Sequence, residues 1–148
     1  MSSLPQAFTS VIKEHHVMTL ATCCDNEPYC CSLFYAYMEN EGCFVFSSES
    51  ATKHVRDLSH NMFAAANIAL ETEAVGKIQG VQIQGLVYRP KDDLAKAARK
   101  AYLRRFPYAA LLSTAIWVLE PTWAKLTDNR LGFGKKETWK KGGRSFHN

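Results

Sequence analysis

Apolar side chains change their spacing along the chain, and these changes predict its elements. Over residues 3 to about 15 they recur every three or four positions, the pattern of an amphipathic helix. Ser3 followed by Gln6 fits a capping box at its start. A second, short helix is expected with Ser50 as its cap, and a third over residues 92–106 between two prolines. The pattern therefore predicts three helices.

The stretches between these helices have strand character. β-Branched and aromatic residues are frequent in them, and apolar and polar residues alternate within 77–89. Seven strands are predicted, the first three as a meander, over residues 17–23, 29–38, 43–48, 63–72, 77–89, 114–120 and 123–128. Glycines loosen a basic tail that follows. Six to seven mostly antiparallel strands with peripheral helices indicate a mainly β fold, a small barrel or a strongly bent sheet.

Composition narrows the class of protein. The 148 residues suit a single domain over 1–148, and 47% hydrophobic with 22% charged residues is ordinary for a folded protein. The formal charge of +4 favours anionic ligands, yet it is too small to indicate a nucleic-acid-binding surface. No apolar run of about 18 residues and no signal peptide pattern is found, so we expect a cytoplasmic protein that does not enter the membrane.

The five cysteines form neither a disulfide framework nor a metal motif. Two adjacent pairs, Cys23/Cys24 and Cys30/Cys31, lie on predicted strands. Neighbours on a strand point to opposite faces, so one tetrahedral zinc site could hardly collect both members of each pair. Reduced, buried small side chains are the favoured interpretation, ahead of a thiol nucleophile, and no metal site is predicted.

Residues 46–53 leave a strand and enter a helix with several hydroxyl groups and one amine. These groups belong to Ser47, Ser48, Ser50, Thr52 and Lys53. Free N–H groups at a helix start attract anions, and hydroxyls and a lysine add donors, so the segment indicates a phosphate-binding turn. An ordinary helix cap with a surface lysine explains the same residues, and Glu49 counts against an anion.

The order of elements and several motifs resemble the pyridoxamine 5'-phosphate oxidase-like family, whose fold is the FMN-binding split barrel. The motifs are residues 17–22, 28–35, 44–48 with Lys53, Leu58 and Asn61, 117–121, 127–129 and 133–134. Together they cover most of the chain, and they are most similar to a small bacterial branch of uncharacterised function.

The resemblance implies a homodimer with two equivalent FMN sites along the subunit interface. It assigns phosphate contacts to Ser47, Ser48 and Lys53, with the hydroxyls of Ser50 and Thr52 beside them. It assigns the strand that lines the flavin ring to Ser32, Leu33 and Phe34, and Gln82 to the strand opposite.

Two positions depart from the family pattern. Ala51 stands where a Ser or Thr is usual two residues before the lysine, and residues 29–37 hold no Lys or Arg. The leading hypothesis is an FMN-binding oxidoreductase that transfers hydride or electrons to a small molecule, with no catalytic side chain assigned. The alternative is a non-catalytic ligand-binding or sensing split barrel that binds FMN weakly or not at all. Nucleic-acid binding through the basic residues 135–144 is disfavoured, because such charge runs are usually solvated.

Overall fold

Eight strands, three α-helices and three short 3-10 helices lie along residues 2–143, the part of the chain that the computed structural model describes. The helices are α1 (Gln6–Glu14), α2 (Lys53–His60) and α3 (Asp92–Arg105). The strands are β1 (Val17–Cys24), β2 (Glu27–Phe34), β3 (Ala36–Met38), β4 (Cys43–Ser48), β5 (Phe63–Ala69), β6 (Gln79–Tyr88), β7 (Ala115–Asp128) and β8 (Lys136–Lys140). The predicted mainly β class with peripheral helices is confirmed.

The strands form one curled, fully antiparallel sheet in the order β2-β1-β5-β6-β7-β4-β3. Strand β7 is 14 residues long, and β6 runs along one of its edges. On the other edge, its first half pairs with β4 and its second half with β8. The sheet therefore divides at β7 into two branches.

Two apolar cores lie on opposite sides of β4. Phe44 and Phe46 point into an inner core that α1 covers, while Cys43 and Val45 point into an outer core beneath α3. Alternate residues of a strand face opposite sides, so a strand that is buried on both faces must be apolar throughout. This explains the continuous apolar run of β4 before its two serines.

The chain crosses from one branch to the other at Tyr35. This residue is fully buried, its N–H donates to the His16 carbonyl at 3.0 Å, and its hydroxyl donates to the Ile12 carbonyl at 2.6 Å. The Arg105 guanidinium donates to the Tyr35 carbonyl at 2.9 Å and reaches the Lys13 and His15 carbonyls at the end of α1. These bonds break the predicted strand 29–38 into β2 and β3. Both antiparallel pairings of the predicted meander are present, because β2 pairs with β1 and β3 pairs with β4, but the break places β2 and β3 at opposite ends of the sheet.

Both predicted helix caps are wrong. The N-cap of α1 is Pro5, and the Ser3 hydroxyl lies 3.4 Å from the Tyr37 hydroxyl instead of capping the helix. The N-cap of α2 is Thr52, two residues after the expected Ser50, and its side chain makes no capping hydrogen bond.

The predicted loose tail contains a strand. Trp139 is only 7% exposed and packs into the inner core, which holds β8 against the second half of β7. The last residue of the predicted basic tail, Arg144, lies outside the described residues. None of the helices in residues 2–143 has the length and apolar composition of a membrane-spanning segment.

The two strands predicted over 114–120 and 123–128 are one strand with a bulge. Gln84 pairs with Trp123 and Gly85 with Pro121, so Thr122 is the extra residue. Proline lacks an N–H and is tolerated in a sheet at such an irregularity. A side chain at Gly85 would collide with the Glu120 carbonyl oxygen, so this position requires glycine.

We expect Gly85→Ala to lower the free energy of unfolding by about 1 to 3 kcal/mol, because the added methyl group must displace backbone. Gly76→Ala is the matched control, since its added carbon meets no atom within 4 Å. That control should stay within about 0.5 kcal/mol of the unmodified protein. Urea denaturation measures both changes, and equal stability of the two variants would contradict the assigned bulge geometry.

Candidate functional site

The predicted phosphate turn lies between the end of β4 at Ser48 and the start of α2 at Lys53. Val55 and Leu58 are the buried apolar residues of α2, and Leu58 belongs to the inner core. This packing sets the helix against β1 and β2. Among the described strands β2 pairs only with β1, so its second edge is unpaired, and Lys53 at the start of α2 contacts the Tyr29 ring of β2.

Lys53 is held by a carboxylate. Its ammonium lies 3.1 Å and 3.3 Å from the two oxygens of Asp57 and 5.1 Å from the centre of the Tyr29 ring. The Thr22 hydroxyl donates to Asp57 at 2.8 Å. This hydrogen bond and the nearby Lys53 lower the pKa of Asp57, so the carboxyl is ionised at neutral pH and balances the lysine charge.

Sequence reasoning missed Asp57. The signal that could have found it is its position four residues after Lys53, since oppositely charged residues at this spacing meet on a helix surface. Thr22, in contrast, comes from β1 and is 35 positions away along the chain. No local pattern could have indicated that contact.

His54 is a second residue that the predicted site lacked. It is 6% exposed, and its Nε2 lies 2.7 Å from the Ser48 hydroxyl and 3.4 Å from the Thr52 hydroxyl. The Thr52 hydroxyl itself donates to the Glu49 carbonyl at 2.8 Å. Burial lowers the pKa of His54, so the imidazole is neutral near pH 7.

The remaining predicted hydroxyls lie toward another cavity. Ser50 is exposed and lines a cavity of about 640 Å³ together with Arg89 and Thr114. The Ser47 hydroxyl forms a short hydrogen bond with the Thr114 hydroxyl. The turn thus divides its side chains between the group around Lys53 and this neighbouring cavity.

The predicted ring-binding residues of β2 do not share one side of the strand. Ser32 and Phe34 are exposed on the outer face, which we define as the surface of β1, β2, β5 and β6 that points away from the inner core. Leu33 is half-buried and packs against the inner core. Only the backbone of these residues is therefore presented together along the free edge of β2.

Gln82 is on the same outer face, three strands away from β2. Ser32 pairs with Thr19, Thr19 with Asn67, and Asn67 with Gln82, so the four form one row across the sheet. Three strand spacings of about 4.8 Å separate Ser32 from Gln82 by roughly 14 Å. Within one protomer, the sheet does not bring Gln82 next to β2.

Small side chains leave two hollows on the outer face. A cavity of about 530 Å³ is lined by residues that include Ala21, Phe63 and Gln84, and one of about 310 Å³ is lined by residues that include Asn67 and Gln82. Around them, apolar side chains are unusually exposed: 68% for Phe63, 49% for Phe34 and 46% for Val17. Val17 and Phe34 pair at one end of this face and Phe63 lines the larger cavity toward the other end, and exposed apolar side chains on one face mark an interaction site.

In the described residues, the cysteines form neither a disulfide nor a metal site. None of the five forms a disulfide, and residues 2–143 contain no group of three side chains arranged as metal ligands. Burial is the main cause that raises the pKa of Cys24, of Cys31 and, to about 12, of Cys43. These three thiols are protonated at neutral pH, so none of them is an activated nucleophile.

We expect Asp57→Asn to destabilise the protein at neutral pH and to do so less in acid. The folded-state pKa of Asp57 is lowered, so its ionised form contributes stability above the ordinary aspartate pKa of about 3.9. That contribution is lost as the pH falls through the lower folded value. Thermal melts from pH 7 to pH 3 should show the gap between the two proteins narrowing, and a constant gap would contradict the assigned ion pair.

Solved structures share this architecture. The chain superposes with a TM-score of 0.78 on a heme binding protein from Mycobacterium smegmatis, at 22% identity, covering 94% of this chain and 60% of that one. A FAD-binding protein from Mesorhizobium loti gives 0.68 at 14% identity, covering 90% and 93%, and a putative pyridoxamine 5'-phosphate oxidase from Listeria innocua gives 0.64 at 10%, covering 81% and 94%. This chain thus spans 60% of the length of the M. smegmatis protein. At such identities the likeness shows the fold alone, and the fold is the split barrel.

Relatives found by sequence share a higher identity with this chain than these solved structures do. A UPF0306 protein of Photorhabdus laumondii is 36% identical over 130 residues, covering 88% of this chain and 91% of that protein. The UPF0306 protein YhbP of Escherichia coli O157:H7 is 34% identical over 136 residues, covering 92% of both. No protein-family model matches the chain. The chain belongs to the UPF0306 family, with the split-barrel fold of the pyridoxamine 5'-phosphate oxidase-like proteins.

Proposed function

We propose that this protein is a homodimeric flavoprotein that binds FMN and transfers hydride or electrons to a small molecule. One observation carries the proposal: the N-terminus of α2 has no side-chain cap, and its Lys53 contacts Tyr29 of β2, a strand with one unpaired edge. The first N–H groups of a helix have no intrahelical partner and favour an anion such as a phosphate.

Different parts of the site would contact the phosphate and the flavin ring of FMN. The helix start and its hydroxyls would hold the phosphate, and the backbone of Ser32, Leu33 and Phe34 would border the flavin ring. When bound, the flavin supplies the redox chemistry, while the protein orients it and limits its exposure to water. No side chain is assigned as an acid or a base.

The fold comparisons support a flavin. Two of the solved structures similar to this chain are described as a FAD-binding protein and a putative pyridoxamine 5'-phosphate oxidase. These ligands and activities belong to those proteins. They make a flavin the first ligand to test here, and the phosphate turn makes FMN the specific form that we propose.

A second copy of the chain is the partner that we propose for the outer face. Phe34, Phe63 and Val17 would be covered by it, and the hollows between them would be closed. Gln82 lies on the same face, so such packing is also the means by which this residue could approach a flavin. Ligand sites commonly form at boundaries of this kind.

The alternative function is non-catalytic binding of another ligand. Two observations favour it: the ion pair with Asp57 neutralises the Lys53 charge, and strand β2 contains no Lys or Arg. One solved structure similar to this chain is described as a heme binding protein. Saturable binding of hemin with no binding of FMN would favour this alternative.

We expect saturable binding of about one FMN per subunit in an absorbance titration. Lys53→Met should weaken binding about 10- to 100-fold, since a charged hydrogen bond contributes about 1.5 to 3 kcal/mol. Asp57→Asn should bind FMN at least as tightly as the unmodified protein, because it frees the lysine charge. Lys13→Met is the control, because Lys13 forms a surface ion pair with Glu39, and it should leave the affinity for FMN unchanged. Absence of binding at high micromolar FMN would refute the flavoprotein.

We expect a dimer at micromolar concentration in size-exclusion chromatography with light scattering. Phe63→Lys should shift the mass toward the monomer, because it places a charge in the proposed apolar interface. Val75→Lys changes a similarly exposed residue away from this face and should leave the dimer intact. A monomer in the unmodified protein, or equal masses for the two variants, would contradict the proposed interface.

A further inference from the structure

We propose that the cavity of about 640 Å³ beside the turn is a second ligand site, which takes a small zwitterion with an apolar side chain, an amino acid or a dipeptide. The residues that line it follow β4, follow β6 and lead into β7. Of the residues that the family resemblance assigns to FMN, only Ser50 lines this cavity. The inference is therefore independent of the proposed FMN site.

Two opposite charges line the cavity without neutralising each other. Arg89 follows β6, Glu49 follows β4, and both side chains are exposed. None of the ion pairs within residues 2–143 includes either of them. A ligand that carries both a carboxylate and an ammonium can neutralise the two charges together. A phosphate dianion, in contrast, would meet the Glu49 carboxylate as a like charge.

The guanidinium of Arg89 is held by an aromatic ring. Its central carbon lies 5.5 Å from the centre of the Trp117 ring. An arginine that contacts a ring in this way keeps N–H groups available at the edge of its plane, and a carboxylate can accept two of them. We therefore assign the carboxylate of the ligand to Arg89 and its ammonium to Glu49.

The segment between α3 and β7 forms a wall of the cavity that is anchored at both ends. At one end Phe106 is buried in the outer core. At the other end the Thr114 hydroxyl is hydrogen-bonded to the Ser47 hydroxyl of β4. Between these anchors Leu111 and Leu112 line the cavity, yet they are 89% and 52% exposed. An apolar side chain of the ligand would cover them and remove apolar surface from water.

The size and the remaining groups of the cavity suit the same ligand. A volume of about 640 Å³ lies within the range of roughly 300 to 1,000 Å³ that is typical of small-molecule sites. Hydroxyl groups of Ser50, Ser113 and Thr114 also line it. Because a hydroxyl both donates and accepts, these groups can contact either end of a zwitterion.

The test is an NMR titration of isotope-labelled protein at pH 6.5 with four probes: L-leucine, N-acetyl-L-leucine, L-leucinamide and L-leucyl-L-leucine. An α-amino group has an ordinary pKa of about 7.7 to 8.0, so the free amines are protonated at this pH. We expect L-leucine or the dipeptide to bind at least about tenfold more tightly than either analogue that lacks one charge. The tighter of the two distinguishes a free amino acid from a peptide.

Two variants separate the contributions of the two charges. Glu49→Gln should lose the preference for L-leucine over N-acetyl-L-leucine and keep the preference over L-leucinamide, because it removes only the partner of the ammonium. Arg89→Gln should show the reverse pattern. Lys91→Gln and Glu73→Gln change exposed charges that do not line the cavity, and both preferences should persist in them. A misfolded variant would not produce this crossed pattern.

Three results would overturn the proposal. The first is that neither L-leucine nor the dipeptide binds at concentrations up to about 10 mM. The second is that both variants lose both preferences, or neither. The third is that Arg89→Gln weakens the binding of FMN, because the cavity would then belong to the flavin site. If FMN does not bind the unmodified protein but the zwitterion does, only the flavoprotein proposal fails.

Discussion

Strand β7 is the element on which the arrangement of this protein depends. It pairs with β6 along one edge from Val118 to Asp128 and shares its other edge between β4 and β8. Because β4 is held there, its end at Ser48 is fixed relative to the inner core, and α2, whose Leu58 packs into that core, begins five residues later. The long strand therefore sets the position of the candidate site, although it supplies none of its central side chains.

The site itself is organised by a buried carboxylate and a buried imidazole. Asp57 receives hydrogen bonds from Thr22 and Lys53, and His54 lies between Ser48 and Thr52. Buried polar groups of this kind persist where they are hydrogen-bonded, and they fix the side chains around them. As a result, the turn combines donors for an anion with a charge that is largely balanced, which distinguishes it from a simple cluster of lysines.

Local patterns predicted the elements well and their connections poorly. The spacing of apolar residues located α3 and the strand character of β6 because each is a regular element with one buried face. It missed the break at Tyr35, which depends on carbonyls of α1 and on Arg105, 70 positions later. It also missed β8, since pairing with β7 and the packing of Trp139 against the inner core make that basic segment a strand.

The same distinction applies to the site. Ser48, Thr52 and Lys53 were predicted because they are neighbours in the sequence, while the contact of Thr22 with Asp57 needs the fold. A crystal structure of the protein with FMN tests the account most directly. It should place the phosphate within about 3 Å of the Lys53 ammonium and of the first N–H groups of α2. A phosphate bound elsewhere, for example at Arg89 in the neighbouring cavity, would contradict it.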